Sequence, residues 1–161
     1  MRVQGANPAN RLVTVSQYGP KPLVLQPKGF LFFSQNTSIR SSRVIVENAI
    51  YKYSESDDDA DETKWIFRYE YSRIGQPNKP HSHFHINAAH HHLKNVDYRH
   101  FHFPTSRLSI EQILAHLLQE HGVQPRNTDV MAAVKILAAS HKKWLALRTD
   151  SKKVTQATPF P

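Results

Sequence analysis

The most regular stretch of the chain is Lys64–Arg73 (KWIFRYEYSR). There Trp65, Phe67, Tyr69 and Tyr71 alternate with Lys64, Ile66, Arg68, Glu70 and Ser72. A period of two in aromatic residues predicts a strand with one buried face. Upstream, Arg43–Ser54 is rich in Val, Ile and Tyr and predicts a second strand. The acidic stretch between them, through Glu62, predicts a hairpin joined by a mobile surface connection. Gly75–Pro80 (GQPNKP) reads as a turn. A strand over about Ser82–Asn87 follows, then a His-rich connection through Asn95 and a strand over about Tyr98–Phe103 that stops at Pro104. Phe30-Leu31-Phe32-Phe33 suits another buried strand, and Leu12–Val15 an edge strand within an otherwise irregular, proline-rich arm over residues 1–29.

The spacing then changes from two to three and four. Ser109 is a good N-cap, Gln112 completes a capping box, and Leu108 with Ile113 forms a hydrophobic staple. Ile110, Ile113, Leu114, Leu117 and Leu118 make one apolar stripe, and Gly122 follows as a stop. A second helix is expected after Pro125, capped by Asn127 or Thr128, with Val130, Val134, Leu137, His141, Trp144 and Leu145 at helical spacing. The pattern predicts one α+β domain over residues 30–148, an antiparallel meander of four or five strands with two C-terminal helices packed on one face. Residues 149–161 read as a disordered basic tail.

A length of 161 residues agrees with one domain. The absence of cysteine removes disulfides, cysteine-ligated zinc, iron–sulfur clusters and thiol nucleophiles from consideration. No apolar run reaches the ~20 residues of a membrane helix and no signal peptide is visible, so a cytoplasmic protein is expected. The net charge of +8 points to a polyanionic partner, with RNA favoured. Lys135, Lys142, Lys143 and Arg148 are the proposed phosphate contacts on the second helix.

Histidine changes the picture most. Eight of the eleven histidines fall between His81 and His102. On a strand, His83 and His85 share the face opposite Phe84 and Ile86, and His100 and His102 share the face opposite Phe101 and Phe103. If helices cover the aromatic face, the other face collects His83, His85, His100 and His102 beside Arg68 and Glu70. One reading is metal-free acid–base cleavage of an RNA phosphodiester. One histidine takes the 2′-hydroxyl proton, another protonates the leaving oxygen, and Arg68 stabilises charge. In a second reading His83, His85 and His100 or His102 hold zinc or another divalent ion, with Glu70 or Glu47 as an extra ligand, in a non-enzymatic binding module. The third is a solvated His-rich face without chemistry. His90-His91-His92 reads as an exposed stretch and His141 as a partly buried structural residue.

The segment Arg43–Val123 resembles the TumE-type toxins of bacterial toxin–antitoxin pairs. The likeness lies in the order of FRYEYSR, KPHSHFHIN and FPTSRLSIEQIL after a Val/Ile-rich strand. It implies a bacterial or mobile-element protein that poisons a nucleic-acid process and is held by a cognate antitoxin. It supplies no catalytic residues, so the histidine assignments rest on the facing argument.

Overall fold

The computed structural model describes residues 10–16, 22–40, 43–75, 77–87 and 101–147. The strands are β1 (Asn10–Ser16), β2 (Leu23–Val24), β3 (Phe30–Arg40), β4 (Arg43–Ser54), β5 (Trp65–Ser72), β6 (Ser82–Ile86) and β7 (Phe103–Pro104). The helices are α1 (Ile110–Glu120) and α2 (Val130–Leu147). All strands belong to one antiparallel sheet in the order β1-β3-β4-β5-β6-β7, and β2 pairs with the same edge of β3 as β1. The expected α+β meander with two C-terminal helices is present, longer at its N-terminal end than the sequence pattern suggested. The stretch read as an irregular arm supplies two strands, and Phe30–Phe33 only begins the eleven-residue β3. Tyr98–His100 of the expected fourth strand lie outside the described residues. Phe101 and His102 precede the ladder, which consists of Phe103 and Pro104 paired with Phe84 and His83.

One face of the sheet carries Leu31, Val46, Tyr51, Tyr53, Phe67 and Tyr69, which pack with Ile113 and Leu117 of α1. The alternation of β5 runs as expected except at its start. Tyr53 pairs with Phe67 and Ser54 with Trp65, so Ile66 is an extra residue in the ladder. That bulge exchanges the faces of its neighbours. Ile66 packs against the helical core, while Trp65 turns to the opposite side, beneath the Arg68 guanidinium at 5.8 Å from the ring.

Tyr69 fastens the helices to the sheet. It is fully buried and stacks on Tyr51, ring centroids 5.6 Å apart. Its hydroxyl is 2.7 Å from Ser82 Oγ and accepts from the Leu108 amide at 2.9 Å, while Ser82 Oγ donates to the Ser106 carbonyl at 3.0 Å. The start of α1 is therefore set by a strand residue. The predicted capping box closes it: Ser109 Oγ accepts from the Gln112 amide, and Gln112 Oε1 accepts from the Ser109 amide at 3.0 Å. At the other end Gly122 adopts φ 66° and the Val123 amide reaches back to the Leu117 carbonyl at 3.2 Å. In α2 the cap is Asp129 rather than Asn127 or Thr128, because its carboxylate accepts from the Ala132 amide at 2.8 Å. Arg107 joins the layers, its guanidinium lying 4.5 Å from the Tyr71 ring and 5.3 Å from Trp144. Ser109 Oγ also meets His141 Nδ1 at 2.9 Å, which gives His141 the structural place expected of it.

The acidic connection is folded on itself. Asp58 Oδ1 accepts from the Ala60 amide and Asp61 Oδ1 from the Thr63 amide, both at 2.9 Å. Its Asp59 carboxylate and carbonyl both meet Lys52 Nζ. Lys52 is only 4% exposed and lies 4.8 Å from the Phe32 ring, so an acidic neighbour is what allows a charged lysine there. Gly29, at φ 113°, carries the turn before β3. A Cβ there would stand 2.5 Å from the Tyr53 ring.

Two predictions concern stability. Replacing Tyr69 by Phe leaves the Leu108 amide without its acceptor, and chemical denaturation should show a loss of about 1–3 kcal/mol. The second concerns pH. His116 of α1 and His121, which caps its C-terminus, pack together at 5.1 Å, against Phe67 and, for His121, against Tyr53. Burial holds both imidazoles below the ordinary histidine value; the neighbouring His121 lowers His116 further, and Glu120 opposes both shifts. The unfolded chain thus binds protons more readily than the folded one. Stability should be full above about pH 6.5 and fall as pH drops below it. A Tm series from pH 8 to 5 should show this decline, and His116→Gln with His121→Gln should flatten it.

Candidate metal centre on the open sheet face

The face opposite the helices is built by the second set of alternating residues. Cross-strand pairing places Arg68 opposite His85 and Glu70 opposite His83, with Pro104 of β7 beyond His83. His102, immediately before β7, completes the group. The three imidazoles touch edge to face, His83–His85 at 5.0 Å and each of these to His102 at 4.6 Å between ring centroids. One ring nitrogen from each lies within 4.8 Å of the others. His83 and His85 are 4% and 3% exposed, more deeply buried than the apolar Phe84 and Ile86 between and beside them. The sequence reading placed these rings on an open face; the structure makes it a recess.

The orientation of His83 is fixed by main chain. Its Nδ1 is 2.9 Å from the Pro80 carbonyl. A carbonyl only accepts, so Nδ1 carries a proton and the ring turns Nε2 into the recess, where the neutral tautomer has its lone pair. This Nε2 is buried, has no hydrogen-bond partner and faces Glu70 Oε2 at 3.6 Å. His85 Nε2 stands 3.8 Å from Glu70 Oε1. Glu70 Oε1 is also 2.8 Å from Arg68 Nε, off the line of the N–H bond, so the contact is an ion pair rather than a hydrogen bond. His102 has a buried Nδ1 without a hydrogen bond. Burial is the main cause that lowers its proton affinity, helped by His83, Lys79 and Arg68 and opposed by Glu70. The recess thus brings together three imidazoles and a carboxylate, the donor set of a divalent cation.

Of the residues expected here, the structure brings together His83, His85, His102, Arg68 and Glu70. His100 lies outside the described residues, as do Arg148 and His90–His92. Glu47, the other carboxylate considered as a ligand, is engaged elsewhere: it accepts from Ser38 Oγ at 2.6 Å and pairs with Arg73 at 3.9 Å. His81 sits beside the turn, its Nδ1 3.0 Å from the Ser72 carbonyl. Lys135, Lys142 and Lys143 are exposed on α2. They belong to the helical layer rather than to the sheet face that carries the histidines. Facing arguments alone did not reveal the Pro80 carbonyl that orients His83, nor Trp65 under Arg68. The first signal was the Pro80-His81 step before the strand; the second was hidden by the bulge.

Searches against protein-family models, curated proteins and solved structures find no match to this chain.

Proposed function

We propose that the protein is a toxin-like factor that acts on RNA through a divalent metal ion held by His83, His85 and His102. The observation that carries the reading is the direction of the His83 ring. Its lone pair points at a carboxylate across 3.6 Å with no donor between them. Two acceptors in a buried recess repel unless a cation lies between. A metal at about 2.0–2.1 Å from each nitrogen draws the three rings together, with tetrahedral or octahedral angles setting nitrogen separations of about 3–3.4 Å. The ring nitrogens lie within 4.8 Å of one another, and side-chain rotations would bring them to that spacing.

The metal-free acid–base scheme has less support, since both histidine Nε2 atoms face the Glu70 carboxylate. For hydrolysis of a phosphodiester, water forms the new P–O bond and the leaving 5′-oxygen departs with the proton that water gives up. The ion supplies positive charge for the phosphoryl oxygens. Arg68, beside the recess, orients Glu70 and adds positive charge. The net charge of +8 supplies a long-range field that gathers RNA. Lys135, Lys142 and Lys143 contribute to that field rather than to contacts at the centre. A cognate antitoxin and a bacterial cytoplasmic setting are the partner and place that go with this reading.

Metal analysis of the purified full chain should find a divalent metal in stoichiometric amount, and His85→Ala should lose it. RNA cleavage should follow the same pattern and stop on chelation. Cleavage undiminished after complete metal removal sinks the metal reading. A chain that binds metal, melts many degrees lower without it and leaves RNA intact is instead a structural metal module.

A further inference from the structure

The three histidines account for only part of the recess. Glu70 enters it from β5 with its two oxygens in different surroundings. Oε1 is tied to Arg68 Nε at 2.8 Å and stands 3.8 Å from His85 Nε2, whereas Oε2 carries no such anchor and faces His83 Nε2 at the shorter distance of 3.6 Å. The carboxylate is three-quarters buried. An Arg-anchored carboxylate with one oxygen aimed at an imidazole lone pair is the arrangement expected of a monodentate ligand and its orienting partner. Resting on the metal reading above, we infer that Glu70 Oε2 is the fourth ligand, and that the working ion is six-coordinate, of the manganese, iron or cobalt class.

The second half follows from counting positions. Zinc in four-coordinate, all-protein sites is structural, because no position is left for water or substrate. Three imidazoles and one carboxylate oxygen saturate such an ion. On an octahedral ion the same four ligands leave two positions, one for water and one for a phosphoryl oxygen, which is what cleavage of a phosphodiester requires. Carboxylate suits manganese, and imidazole suits iron as it does zinc, copper and nickel, so the mixed set does not oppose this choice. All four residues project from a single face of β5, β6 and the entry to β7. The two remaining positions therefore face away from the sheet. Arg68 is a positioning residue here: it acts on the metal through Glu70.

The test uses cobalt(II) titrated into the metal-free full chain and read by its visible spectrum, in wild type, Glu70→Gln and Glu70→Asp. Wild type should bind with the weak absorption of a six-coordinate ion. Glu70→Gln should bind about 10–100-fold more weakly, with a changed spectrum. Circular dichroism checks that each variant is folded; if Glu70→Gln is not, Glu70→Asp, which withdraws the oxygen while keeping the charge, is read in its place. Manganese-loaded or cobalt-loaded protein should cleave RNA and zinc-loaded protein should not. Unaltered affinity and spectrum in the folded variant overturn the Glu70 assignment. Equal cleavage with zinc, or an intense four-coordinate cobalt spectrum in wild type, overturns the six-coordinate assignment. A wild type that binds no cobalt overturns the metal centre itself, which separates failure of the underlying reading from failure of this one.

Discussion

The two-residue period of β5 and β6 is the constraint on which the molecule depends. Each strand sends every second side chain into an aromatic core and every other one to the opposite face, and a slip by one residue would exchange the two sets. Phe67, Tyr69 and Phe84 meet in the core, ring to ring. Arg68, Glu70, His83 and His85 are then forced into company on the other side by backbone pairing alone. The register of one antiparallel ladder thus assembles both the hydrophobic core and the ionisable recess.

Register by itself would leave those polar groups in water. Here they are buried, and the recess is sustained by partners from outside the two strands: the Pro80 carbonyl on His83, and His102 beside both histidines. A similar solution recurs one strand further on, where Lys52 lies opposite Arg68 and is neutralised by Asp59 from the acidic loop. Two like charges directly across a ladder are unfavourable. The structure separates their obligations by giving the lysine to Asp59 and the arginine to Glu70. The loop acids thereby hold a cation on the sheet, rather than forming a detached charged surface.

Local signals in the sequence were enough for the helix caps, the hairpin strands and the two faces of β5. Ser109, Gln112 and Gly122 act within one or two turns, so their chemistry needs no knowledge of the rest of the fold. The same alternation named His83 and His85 as a pair and put Arg68 and Glu70 beside them. What was not legible depended on contacts distant along the chain or on a break in period. The bulge at Ile66 reversed Trp65 without any glycine or proline to mark it. Choosing Glu70 over Glu47 required knowing that Ser38 and Arg73 claim the latter. The depth of the histidines was hidden as well, since composition reads histidine as a surface residue.

Among the described residues the last strand of the sheet has only two residues, and the second is Pro104. The Thr105 amide bonds inward to the Ser82 carbonyl at 3.0 Å, so by alternation the nitrogen of Pro104 is on the outward side. That nitrogen carries no hydrogen, and the outer rim of β7 offers an incoming strand no donor at this position. An edge so short and so poor in donors resists being extended by another molecule. The border of the sheet nearest the histidines is consequently protected from fibre-like stacking of one copy on the next, a hazard for a chain whose strands are this rich in aromatic side chains.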